Sequence, residues 1–179
     1  MAHDDRHIAY VLNTILGGSM SSRLFQEIRE KHGLAYTVYS SLSAFMDTGL
    51  LSVYVATSPT QVPTCLKLIE EAMRRLTQEL LTDQELSEVK ASIKGGLMLS
   101  DDSVEARMSS MGRAAAFAEP VLSVDQLCKQ IENVSAADIR RVARRLLRQS
   151  SRSILVMGPM PAPGTKRKLT HLKPIWLKK

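Results

Sequence analysis

The sequence predicts an α+β domain in which long helices cover an antiparallel sheet. Two β-type runs, Leu34–Phe45 and Leu50–Ala56, flank a turn sequence and read as a hairpin. Apolar residues recur at helical spacing over most of the rest, and helix-start signals stand ahead of several of those stripes. Helices that outnumber strands in this way must bury their apolar stripes against one face of a sheet. At 179 residues and 44% hydrophobic, the chain is long enough to build that core without cross-links.

The elements follow in order. Ile8, Val11, Leu12 and Ile15 define a first helix, which Gly17-Gly18 ends. A second helix is expected over about 21–31, striped by Leu24, Phe25 and Ile28, with Gly33 as its left-handed C-terminal stop. The hairpin comes next, turning at Met46-Asp47-Thr48-Gly49. Ser58, Pro59 and Gln61 then form a predicted capping box for a long helix striped by Val62, Cys65, Leu66, Ile69, Met73, Leu76 and Leu80. Thr82 and Glu85 repeat the device ahead of Leu86, Val89, Ile93 and Leu97. Gly95-Gly96 inside that pattern implies a kink or a close helix contact.

Further helices are expected from about Ser103 to Phe117, Ser123 to Ile131 and Ser135 to Arg148, the last capped by Ser135 with Asp138 three residues on. Ser153–Met157 reads as a short apolar strand, after which Pro159, Pro161 and Pro163 stop regular structure. Three strands make a thin sheet for so many helices. A further first strand is therefore expected upstream of residue 1. These readings divide the chain into an α+β domain over 1–158 and a Pro-containing basic tail over 159–179.

Composition excludes several classes. Cys65 and Cys128 both lie in helical patterns and read as reduced core residues, since two cysteines make no disulfide framework in a chain of this size. No apolar run of about eighteen residues and no signal-peptide pattern is present, so the chain reads as cytoplasmic or otherwise soluble with no membrane span. The net charge of +6 resides in the tail, where Lys166, Arg167, Lys168, Lys173, Lys178 and Lys179 face no acid. That tail reads as a solvated or strapping C-terminus. Three Phe, one Trp and four Tyr, with no basic–aromatic interleaving, argue against nucleic-acid binding.

The candidate site is Arg29 with Tyr36. A helix-terminal guanidinium offers five donors in a fixed fork that suits carboxylates and backbone carbonyls, and a helix stop followed by a strand start brings the tyrosine toward it. By two-residue alternation Tyr36 shares a face with Val38, Ser40 and Leu42, while Tyr39 faces the other way. A last-turn arginine also suits the helix dipole with no further role. Other clusters carry less. His3 and His7 are four apart but make no zinc motif with His32 or His171, and His32 fits a helix end. Asp101-Asp102 reads as a local turn or N-cap. Gly17-Gly18 lacks the spacing of a phosphate-binding loop. Arg140, Arg141, Arg144, Arg145 and Arg148 occupy the polar side of a helix whose apolar side is Ile139, Val142 and Leu146, and read as a solvated or partner-facing surface.

The run ILGGSMSSRLFQEIREKHGLAYTVYSS closely resembles the second, non-metal-binding domain of the pitrilysin/insulinase-like zinc peptidases (family M16), in particular the bacterial processing-protease type. The likeness extends more loosely over residues 8–158. It departs from the family pattern at Ser19, where a third glycine is usual, and at His32, where arginine is common.

The resemblance implies two similar α+β domains closing around an extended peptide. The first holds Zn2+ through an inverted H-x-x-E-H motif, absent from this chain; the second supplies an arginine and a tyrosine seven residues apart, positions matched by Arg29 and Tyr36. It therefore implies the C-terminal portion of a zinc metalloendopeptidase that carries no catalytic or metal residue of its own and is inactive alone. Its partners would be an upstream zinc-binding domain or catalytic subunit and an extended peptide, with a homodimer possible in isolation. The other class it admits is a non-catalytic structural or peptide-presenting subunit of a heteromeric peptidase.

Overall fold

The computed structural model describes residues 5–45 and 47–158. It is α+β: the described residues form six α-helices, a short π-helical segment, a 3-10 turn and a two-stranded antiparallel sheet against which α1, α2 and the π-helical segment pack. Helix α1 (Arg6–Leu16) is followed by the π-helical segment Phe25–Lys31 and the strands β1 (Ala35–Ala44) and β2 (Gly49–Thr57). Then come α2 (Val62–Gln78), α3 (Asp83–Asp101), α4 (Val104–Ala116), α5 (Val124–Glu132) and α6 (Ala136–Leu146).

The packed centre lies where α1 meets β1 and α6, and where α2 meets α6. Leu12, Leu16, Leu24, Ile28 and Val142 are wholly buried there, and Cys65 sits among them as a free thiol. The first helix ends as expected. Gly17 takes the C-cap, and its carbonyl accepts a 2.9 Å hydrogen bond from the Ser40 N–H of β1. The Ser40 hydroxyl donates to the Asn13 carbonyl at 3.1 Å, so the helix end and the strand are joined twice.

Gly33 is the left-handed stop (φ 59°), its N–H bonded to the Arg29 carbonyl at 3.1 Å. The hairpin turn is closed by a 2.9 Å bond from Phe45 N–H to Thr48 O, and its remaining member, Met46, lies outside the described residues. Capping boxes at Ser123/Gln126 and Ser135/Asp138 start α5 and α6. No described helix is long and apolar enough to cross a membrane.

Several expectations are corrected. The helix over 21–31 adopts π-helical geometry from Phe25, a widening that apolar spacing does not encode. Ser58 does not cap α2, which starts at Val62 with Pro63 tolerated in its first turn; the Ser58 hydroxyl instead meets that of Thr60. The buried stripe of α2 stops at Leu76, and Leu80 is exposed beyond the helix end. Thr82 caps α3 by accepting from Glu85 N–H, but the Glu85 carboxylate turns to Arg23 instead of completing the box. Asp102 ends α3, and Ser103 caps α4.

Helix α3 runs on through Gly95-Gly96, and the close helix contact expected there is absent among the described residues, since a methyl group at either position would meet nothing within 4 Å. Ser153–Met157, expected as a strand, joins no ladder among the described residues. The tail over 159–179 lies outside the described residues.

Candidate functional site

The site begins with a ladder irregularity. Ala35 pairs with Thr57 and Thr37 with Ala56, so Tyr36 is the extra residue of a β-bulge. A bulge breaks two-residue alternation and re-aims one side chain. Tyr36 is accordingly 81% exposed while Val38 and Ser40 are buried, which overturns its expected place on their face. The bulge turns the ring toward the π-helical segment. There the guanidinium carbon of Arg29 lies 4.7 Å from the Tyr36 ring centre and 4.8 Å from that of Phe25. Arg29 is thus held between two aromatic faces, a geometry in which the ring quadrupoles attract the cation.

The arginine keeps donors for another group. Its one ion pair among the described residues, Nε to Glu30 Oε1, is long at 3.7 Å and open to solvent. The sequence-predicted pair is therefore brought together, with Phe25 as the second wall. Phe25 stands four residues before Arg29, and that spacing on a helix was the available signal for it.

Two arrangements support this rim. Arg23, just before the π-helical segment, makes a two-pronged contact with Glu85 in the first turn of α3, at 2.9 Å on each arm. This fork-to-fork pair anchors the segment that presents Arg29 to a distant helix. On the hairpin, Tyr39 and Tyr54 stand opposite each other and stack at 5.3 Å, half exposed. His32 is occupied locally, its Nδ1 lying 2.7 Å from the Glu27 carbonyl.

The remaining candidates lie elsewhere. His3 is outside the described residues. His7 lines a cleft of about 510 Å3 with Arg6, Glu119, Gln130 and Asn133. Its Nε2 accepts from Arg6 Nε at 3.0 Å, and Arg6 also pairs with Glu119. Burial, then the Arg6 charge, lowers the His7 pKa from its ordinary value, with Glu119 pulling weakly the other way. Among the described residues no group of three His, Cys, Asp or Glu side chains could hold a metal ion. A zinc ion does not fit these residues.

A family model described as "Peptidase M16 inactive domain" matches residues 1–93, just over half of the chain. An uncharacterised zinc protease of Streptomyces coelicolor is 40% identical over 158 residues, 88% of this chain and 34% of that protein. One from Bacillus subtilis is 35% identical over 164 residues, 90% of this chain and 40% of that protein. Among solved structures, a peptidase M16 inactive domain from Pseudomonas fluorescens superposes with a TM-score of 0.71 at 23% identity, covering 80% of this chain and 34% of that one. The chain spans a little over a third of the length of these curated relatives.

Proposed function

This chain belongs to the peptidase M16 inactive-domain family, and we propose that it supplies the substrate-orienting half of a zinc metalloendopeptidase of the processing-protease type. In this reading residues 1–158 are the working unit, and an upstream domain outside the chain holds the metal. The metal supplies Lewis-acid chemistry at the scissile carbonyl; the residues of this chain bind and orient. The observation that carries the reading is the bulge at Tyr36, which seats Arg29 between two rings on an exposed rim with guanidinium donors to spare.

An extended peptide laid along the rim offers backbone carbonyls. Arg29 donates N–H bonds to one of them, and the Tyr36 hydroxyl donates to a second or to the oxygen that gains charge during hydrolysis. Aromatic walls fix the guanidinium before the peptide arrives, so little side-chain entropy is lost on binding. A donor aimed at a developing oxyanion is worth about 2–4 kcal/mol.

The test is hydrolysis of a quenched extended peptide by the full-length parent protein loaded with zinc. Arg29→Ala is expected to lower kcat/KM at least about tenfold, near 1.4 kcal/mol, and Tyr36→Phe by less. Unchanged rates in both variants would overturn the assignment of these residues. A parent that binds the peptide and never cleaves it would favour a peptide-presenting subunit. Cleavage by the 179-residue chain alone would refute the two-domain reading.

A further inference from the structure

Helix α6 and the two residues after it place five arginines within nine residues, Arg140, Arg141, Arg144, Arg145 and Arg148, and together with Ala137 they line a groove of about 410 Å3 on the helix's outer side. The opposite side, Ile139, Val142 and Ala143, is buried against α1 and α2. Like charges three and four residues apart repel along a helix. The cluster is offset by only part of what it needs.

Asp5, whose side chain is 7% exposed, is gripped by both Nη atoms of Arg141, at 3.1 and 2.8 Å, and by Arg145 Nη1 at 2.8 Å. Arg141 also reaches Asp138 at 3.3 Å, and Arg144 Nε donates to the Thr77 carbonyl at the end of α2 at 2.9 Å. The side chains of Arg140 and Arg148 make no hydrogen bond or ion pair among the described residues. Downstream the imbalance persists, with no acid anywhere from Ile139 to Lys179.

We propose that the outer face of α6, continued by Arg148 just past its end, is a docking strip for an acidic protein segment, whose carboxylates are held by Arg140, Arg144 and Arg148. Three features select this class. The strip's neighbouring arginines already bind a carboxylate, Asp5, by the two-pronged geometry that guanidinium favours. Arg140 and Arg144 stand one turn apart on α6, about 6 Å along its axis, and Arg148 follows in extended backbone two residues past the helix end. Glutamates one turn apart on an acidic helix match the Arg140–Arg144 interval. Finally, the groove's lining holds no aromatic ring on which a base could stack and no large apolar side chain to enter a bilayer. The strip is independent of the Arg29 rim and of the peptidase reading.

The experiment uses the 179-residue chain and a labelled helical peptide bearing glutamate at every fourth position, followed by fluorescence anisotropy at about 0.15 M salt, where weak long-range attraction is screened. The double variant R140E/R148E is expected to weaken binding at least about tenfold, and a scrambled peptide of equal composition to bind several-fold more weakly. A tail variant, K166Q/R167Q/K168Q, is expected to bind like the parent chain. Circular dichroism of each variant separates loss of binding from loss of fold. Equal binding by R140E/R148E, or loss only in the tail variant, would overturn the proposal. Tighter binding of a single-stranded oligonucleotide or an anionic phospholipid vesicle of matched charge would overturn the partner class.

Discussion

Gly17-Gly18 closes α1 against β1, whereas Gly95-Gly96 lies inside α3 with open space beside both residues. The dipeptides are identical, and their surroundings are opposite. A Cβ on Gly17 would lie 2.6 Å from the Ser40 backbone nitrogen and 2.9 Å from its hydroxyl, so no side chain fits without moving the strand. A Cβ on Gly18 would meet Thr14 Cα at 2.9 Å. The φ of Gly17, −161°, is open to any residue, so space and not backbone conformation requires the glycine.

Around Gly95-Gly96 the packing thins. Met98 and Leu99 are exposed, α4 buries no residue, and its Val104, Met108 and Met111 stripe faces outward. The α1–β1–α6 region is a packed core, whereas the end of α3 and α4 present apolar side chains that no described residue covers. The glycine pairs mark the two regions.

Substitutions that fill the glycines separate these environments. The largest effect is expected from Gly17→Ala, which should destabilise the chain by about 1–3 kcal/mol through overpacking against β1, read as a lower urea midpoint. A neutral Gly17→Ala would mean that α1 and β1 part readily. Gly95→Ala and Gly96→Ala are expected to act in the opposite direction, each raising stability by about 0.5–1 kcal/mol, because alanine loses less backbone entropy in a helix and meets no neighbour. Destabilisation there would reveal a surface covered in solution.

The smallest effect concerns pH, at the edge of the packed region. Burial and Arg6 hold the His7 pKa below its usual 6.5, against the pull of Glu119. The unfolded chain then binds the proton more readily than the folded one. The stability tied to neutral His7 is complete above 6.5 and declines as pH falls from there toward the lowered folded value. His7→Asn should flatten the pH dependence of the urea midpoint between about pH 7 and 5; an unchanged slope would place that dependence elsewhere.

Local signals were well legible. Ser135 caps α6 with Asp138 three residues on, as its spacing indicates, because that exchange needs only a few consecutive residues. Gly33 stopped its helix for the same reason. The box at Ser123 and Gln126 went unread. The site was half legible: Arg29 and Tyr36 are brought together, yet their arrangement depends on features without a local signature. One extra residue in β1 turned Tyr36 outward, and the π-helical segment set the position of Arg29 and Phe25. Where local and long-range demands competed, the long-range partner prevailed. Glu85 could have completed its own capping box, and Arg23, sixty-two residues away, took its carboxylate instead.

The sequence by itself therefore determined the α+β class, most helix starts and the hairpin. Each of these follows from hydrogen bonds and apolar periodicity within a few turns of chain. Only the tertiary structure decided which glycine pair is indispensable, which arginines are occupied, and which face Tyr36 presents. Those depend on what lies across the gap from a side chain, and residues that meet across a gap leave no mark in their own neighbourhood of the sequence.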